Sequence, residues 1–167
     1  MRTVYLCRHA KSSWDDPARS DFDRPLNERG LRDAPFMAKL FRERGEPVDL
    51  LLSSTANRAL TTALIFAKEL GVADKDVERM GNLYHATSST ITQILNGLPA
   101  EVRRVMVFCH NPGITEAVEH LSGEDIGNMP TCGLVRIDLP CDDWAMVSRE
   151  LGTLAWMEYP KRHPNRP

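Results

Sequence analysis

The chain has 167 residues, 42% hydrophobic and 26% charged, and its 21 basic against 23 acidic side chains leave a formal charge of −2. That is one ordinary domain, long enough to bury about 70% of the surface its unfolded chain exposes. The near balance of charge argues against a nucleic-acid binder that works by bulk phosphate neutralisation, and no apolar run approaches the ~20 residues a membrane span needs.

Arg2 to Cys7, β-branched and aromatic, reads as a short buried strand that ends on Arg8-His9. Ala10 to Leu26 shows no period and is rich in Ser, Asp, Arg and Pro, which in a compact domain marks an active-site loop. Asn27 can cap a helix with Leu31, Ala34, Met37, Ala38 and Phe41 on its inner face, closing at Gly45. Pro35 inside that pattern predicts a kink or a late start. Asp49 to Leu52 is a second strand, followed by a helix with Ala59, Ala63, Ala67 and Leu70 on one stripe and Gly71 as its stop. Val77 to Met80 is a weak third strand, and Ser88 or Ser89 can cap a helix that runs to Gly97.

Arg103 to Cys109 is the strongest strand in the chain. Asn111-Pro112 then predicts a helix start, with a capping side chain and proline at the first helical position, before Ile114, Ala117, Val118 and Leu121. Leu134 to Leu139 alternates apolar and polar residues, and Trp144 to Leu151 is expected to return as its antiparallel partner. Strands alternating with helices, then a hairpin, predict an α/β fold of three layers, α/β/α, around a mostly parallel sheet. A single domain is expected over 1–159, with little order in the Pro-, Lys- and Arg-rich segment 160–167. The apolar N-terminal stretch is too short for a signal peptide, and the four cysteines form no CxxC or zinc-type spacing. A cytoplasmic protein with buried, reduced thiols is therefore expected.

Ligands of open α/β sheets bind beyond the carboxyl ends of the strands. Three places fit that position here: Arg8-His9-Ala10 after the first strand, His110 before a helix start, and Arg58 in or near the first turn of a helix. A cation in a first helical turn opposes the helix dipole, and a bound anion would account for it. An unpaired charge at Arg8, directly after a buried strand, would be costly because it would be taken out of water. A lone histidine at a strand end is more often structural, and Cys7 and Cys109 read as strand packing. Together the two arginines and two histidines form a pocket for a tetrahedral dianion.

These segments resemble the histidine phosphatase superfamily, the phosphoglycerate-mutase-like enzymes. Leu6-Cys7-Arg8-His9-Ala10 is similar to the Arg-His-Gly signature, with alanine in the third place. Ser53 to Ala63, with Arg58-Ala59 and Thr62-Ala63, resembles the second block, and Cys109-His110-Asn111-Pro112-Gly113 the late histidine block. Arg8 to Trp14, Asp23 to Gly30 and Leu83-Tyr84-His85-Ala86 resemble the small SixA-type phosphohistidine phosphatases within it.

The resemblance implies a phosphoglycerate-mutase-like fold and a phosphatase with His9 as nucleophile and Arg8, Arg58 and His110 around the phosphoryl oxygens. No metal or other cofactor is called for. Arg24, Lys11, Ser12 and His85 are the further candidates for contacting substrate, with a loop salt bridge to Asp21 or Asp23 the competing account of Arg24. The expected substrate is phosphohistidine on a partner protein. The alternatives are a small phosphate ester or non-catalytic recognition of a phosphorylated partner; nucleic acid and membrane are not expected, and the protein is expected to be a monomer or weak dimer. Many superfamily members carry a glutamate general acid where this chain reads Gly81 to Ala86, and no carboxylate occurs between Arg79 and Glu101. A positioned acid contributes typically 10²–10⁴-fold, so its absence favours a phosphoramidate, whose bridging nitrogen can be protonated before the bond breaks. Asp15, Asp16, Asp21, Asp23 or His85 remain candidates to supply a proton from a loop.

Overall fold

A computed structural model describes residues 1–167. Strands β1 (Arg2–Arg8), β2 (Leu50–Ser54), β3 (Val77–Met80), β4 (Arg104–Cys109), β5 (Leu134–Leu139) and β6 (Thr153–Glu158) form one sheet in the order β3-β2-β4-β1-β5-β6. The first four in that order are mutually parallel, and β5 runs antiparallel to both β1 and β6. The helices are α1 (Glu28–Glu43), α2 (Asn57–Leu70), α3 (Ser88–Asn96) and α4 (Gly113–Ser122). None is long and apolar enough to cross a membrane.

Period-2 alternation in buried strands divides the core in two. Val4, Leu6, Val105 and Val107 face Ile91, Leu95, Ile114 and Val118 of α3 and α4, whereas Tyr5, Cys7, Met106 and Phe108 face Met37, Phe41, Ala63 and Phe66 of α1 and α2. The three-layer, mostly parallel arrangement expected from the sequence is thus observed. Large side chains anchor each layer: Phe66 and Phe108 meet edge to face at 5.2 Å, and each fully buried aromatic of this kind contributes about 1.5–3 kcal/mol by leaving water. Cys7, Cys109 and Cys132 are buried free thiols and Cys141 is half-buried.

Several local expectations need correction. Leu31 is 53% exposed, not on the inner face of α1. That helix starts at Glu28 without delay, capped by the Asn27 side chain, which accepts from the Gly30 N–H at 2.9 Å. Pro35 lies within it on the exposed side, where the carbonyl it leaves without an N–H partner faces water. Thr87 caps α3 in place of either serine. Asn111 does not cap α4; its Oδ1 accepts from Thr115 Oγ1, and Pro112 precedes the helix without a side-chain cap.

The strand returning beside β5 is β6, not 144–151. Trp144–Met146 is a 3₁₀ turn whose indole is fully buried and donates to the Val102 carbonyl at 2.6 Å. The segment 160–167, where little order was expected, forms a 3₁₀ turn at Pro160–Arg162 and lies on α1, with Arg166 Nε 2.7 Å from Asp33.

Candidate active site

The register of β1 against β4 sets Arg8 opposite Cys109, so the next residue of each strand, His9 and His110, emerges from the same edge of the sheet side by side. Their ring centroids are 5.2 Å apart. β2 flanks β4 on its other side, with Ser53 opposite Phe108, which brings Ser54 Oγ to 2.7 Å from His110 Nε2. α2 begins three residues after β2 ends, and Arg58 in its first turn is buried at the same edge. Four residues from three distant segments converge because three parallel strands end together.

One cleft of about 370 Å³ is lined by Arg8, His9, Arg58 and His110, and also by Lys11, Ser12, Arg24 and His85. All eight residues singled out from the sequence therefore share it. Trp14, Asp21, Asn111 and Thr131 complete the wall; of these the sequence offered only Asp21, as one of several loop groups that could supply a proton. Arg24 satisfies both accounts given of it. It pairs with Asp21 at 3.0 Å, and it also donates to Ser12 Oγ at 2.7 Å and lies 3.5 Å from the Trp14 ring centroid, inside the cleft.

The 10–26 loop closes on itself through the Ser12–Leu26 bridge and docks on α2, where the Phe22 carbonyl accepts from the Asn57 N–H at 2.9 Å. This docking places the Asp21 carboxylate between Arg24 and Arg58, with Tyr84 Oη donating to it at 2.6 Å. Tyr84, 63 residues away in sequence, arrives because α4 packs tightly on the segment before α3. A Cβ at Gly113 would fall 1.8 Å from the Ala86 carbonyl oxygen, an approach only glycine permits. His85, between them, holds φ at +56°, a conformation uncommon outside glycine, and its ring centroid lies 6.5 Å from that of His110.

The electrostatics are lopsided. Lys11, Arg8, Arg24 and Arg58 face a single carboxylate, Asp21, in the cleft. The Nε–H groups of Arg8 and Arg58 are buried without an acceptor, an expensive arrangement for a resting protein. Burial, and then the charge of Arg58, lower the pKa of Arg8. Hydrogen bonding from Tyr84, then from Arg24, with the Arg58 charge, holds the Asp21 carboxyl well below the usual carboxylate range, so it is ionised. Burial pushes His9 down to about 3, with His110, Arg58 and Arg8 adding to the shift against one opposing hydrogen bond. Burial also takes His110 to about 3, with Arg58 the largest charge contribution.

His9 Nδ1 lies 2.7 Å from the Ala10 carbonyl oxygen. A carbonyl only accepts, so Nδ1 carries the proton and the lone pair sits on Nε2. Thr62 Oγ1 accepts from the Ala10 N–H at 3.0 Å while donating to the Arg58 carbonyl at 2.8 Å, and so ties this backbone segment to α2. The result is a neutral imidazole with a fixed tautomer, beside two guanidinium groups whose buried Nε–H groups have no acceptor.

A pH profile checks this electrostatic picture. A neutral imidazole is the competent form of a nitrogen nucleophile, and protonation removes it. With His9 titrating near 3 in place of 6.5, kcat/KM, which reports the free protein, is expected to show no loss on acidification through pH 6.5 once substrate ionisation is taken out. A limb centred near 6.5 in the wild-type profile, on a substrate that does not itself titrate there, would contradict it.

The comparisons with known proteins agree with this geometry. The family model described as histidine phosphatase superfamily (branch 1) matches residues 4–86. The structure of SixA from Agrobacterium tumefaciens superposes with a TM-score of 0.81 at 32% identity, covering 95% of this chain and 98% of that one. The chain belongs to the histidine phosphatase superfamily. A protein histidine phosphatase SixA solved with tungstate shares the fold, with a TM-score of 0.82 at 24% identity over 96% of this chain and 98% of that one. A Mycobacterium tuberculosis protein is 29% identical over 164 residues, covering 92% of this chain and 99% of that protein. As a SixA-type member of the histidine phosphatases, this chain is a phosphatase on a phosphoglycerate-mutase-like fold.

Proposed function

We propose that the protein removes phosphate from phosphohistidine on a partner protein, with His9 as nucleophile. The observation that carries this is the His9 imidazole, neutral, with Nε2 unprotonated, and set beside Arg8 and Arg58, whose buried Nε–H groups have no acceptor. In the first step the substrate imidazole takes a proton from solvent on its non-bridging ring nitrogen, the Nε2 lone pair of His9 attacks phosphorus in line, the P–N bond breaks, and the substrate leaves as a neutral imidazole. In the second, water attacks the phosphoryl group on His9, a proton goes to solvent, and inorganic phosphate leaves. The phosphoryl oxygens carry spread charge in both transition states, and Arg8, Arg58 and His110 supply fixed donors where it develops. Arg24 and Lys11 extend the positive wall, and Ser12 and His85 border it. Tungstate in the SixA structure is a tetrahedral oxyanion of the same class.

The state of Asp21 supports the phosphoramidate over an alkyl phosphate. An alkoxide leaving group needs a proton donor, and the carboxyl group at the cleft is held ionised by Tyr84, Arg24 and Arg58. Comparing rates on a phosphohistidine protein, a sugar phosphate and an activated aryl phosphate tests the reading. The first and third are expected to be fast, and the sugar phosphate slower by roughly 10²–10⁴-fold, the value of an absent acid. Equal turnover of the sugar phosphate would overturn it.

Asp21 also occupies the arginines that an incoming phosphate needs. Like charges about 4 Å apart repel by about 1 kcal/mol even at the dielectric of water. Asp21→Asn is therefore expected to tighten inhibition by inorganic phosphate by roughly 5-fold. Weaker inhibition would mean that the carboxylate chiefly positions Arg58.

A further inference from the structure

A second cavity adjoins the first. It has a volume of about 240 Å³ and shares Arg8, Lys11 and Thr131 with the cleft of His9. Its far walls come from the start of α1, through Arg29 and Asp33, and from the C-terminal segment, through Lys161 and Arg166. Five cationic side chains thus surround one carboxylate, in a chain whose overall charge is −2. The carboxylate is already taken: Arg166 Nε is 2.7 Å and Arg29 Nε 3.8 Å from Asp33, whose side chain is 5% exposed. Arg29 Nη2 donates to Thr131 Oγ1 at 3.1 Å, which braces the loop before β5 against α1. The Nε–H groups of Arg29 and Arg8 remain without acceptors, and Lys161 is exposed with no ion-pair partner.

We infer that this cavity binds a carboxylate of the substrate protein while its phosphohistidine occupies the His9 cleft. The inference rests on the phosphatase reading of that cleft. Excess positive charge at a site with room for a small group and a few waters calls for an anion. Asp33, paired with Arg166 and Arg29, offsets part of that charge, and a carboxylate side chain is the anion that a peptide supplies beside its phosphohistidine without a second modification. Arg8 belongs to both walls, so the two anions bind on either side of one guanidinium. The two cavities share Arg8, Lys11 and Thr131, so the acidic residue is expected close in sequence to the phosphohistidine, and a spacing of two positions is the one tested. The C-terminal segment is then a specificity element, because it supplies Lys161 and Arg166.

Two phosphohistidine peptides differing only by Asp or Asn two positions from the phosphorylated residue serve as probes. Their affinity for His9→Ala protein, read by fluorescence anisotropy, needs no turnover. The Asp peptide is expected to bind about 10-fold tighter, a step of about 1.4 kcal/mol, and Lys161→Gln with Arg166→Gln in the same background is expected to bring the two peptides within about 2-fold. Lys161→Gln alone, which leaves the Arg166–Asp33 pair intact, is expected to remove part of the preference. In protein with His9 present, the preference between the two peptides should appear in KM and be lost with the Lys161 and Arg166 substitutions. Equal affinity for the two peptides, or a preference that survives the double substitution, would overturn the inference. An inert wild-type protein that still prefers the Asp peptide would instead sink the phosphatase reading of the His9 cleft and leave the carboxylate site standing.

Discussion

His9→Ala is expected to lower turnover of phosphohistidine protein by roughly 10³-fold or more, the scale on which loss of a covalent nucleophile is felt. The size follows from how little else in the cleft can replace it. His110 is close, at 5.2 Å between ring centroids, but its Nε2 is engaged with Ser54 Oγ at 2.7 Å. His85 is on the rim, with a side chain 66% exposed. Neither has the backbone contact that fixes the tautomer of His9. Folding should be little affected, because His9 sits past the end of β1 and contributes to neither apolar cluster. A variant that kept more than a tenth of wild-type turnover would show that another group attacks phosphorus.

The second large effect is expected at Arg58. Removing one donor that faces developing charge costs about 10²–10³-fold in kcat, and Arg58→Ala should fall in that range with KM little changed. The reason is positional. The guanidinium is buried at the first turn of α2, its Nε–H has no acceptor, and its remaining contacts are to Asp21, a residue of a surface loop. A charge held in place at such cost in the free protein is repaid where the phosphoryl oxygens gain charge, in the transition state more than in the bound substrate. Arg58→Lys keeps the charge but loses the planar fork, and a partial defect is expected. A rise in KM at constant kcat would assign Arg58 to substrate binding alone.

The sequence made the framework of the site legible because its central strands are buried on both faces. Arg2 to Cys7 and Val105 to Cys109 can be little other than core strands, and the residue following each is then at a carboxyl end. Helix faces were legible from their period, with Leu31 the exception: it falls on the apolar side of the repeat, yet it is 53% exposed in the first turn of α1.

The return strand β6 was hidden for a related reason. It is an edge strand with no fully buried residue, its exposed and half-buried positions alternating only over Thr153–Trp156, while Trp144 and Val147 in the preceding turn are buried and imitate a core strand. Asp21 and Tyr84 carry no local signal of their place in the cleft. Their 2.6 Å contact depends on the docking of the 10–26 loop on α2 and on the close approach of Gly113 to Ala86, both properties of the assembled molecule. The basic C-terminal segment looked like a solvated tail; it is held by the buried Asp33 on α1, by His163 against Phe36 and by the His163–Glu158 contact.

The central claim is that phosphate passes through the Nε2 atom of His9. Its most direct measurement is rapid quenching in alkali of the wild-type protein during turnover of a radiolabelled phosphohistidine protein, followed by mapping of the labelled peptide. Label is expected on the peptide holding residue 9, as Nε2-phosphohistidine, stable in alkali, lost in acid and absent from His9→Ala. Substrate consumed at full rate with no label on the protein at any quench time, or label on His110 or His85, would contradict it.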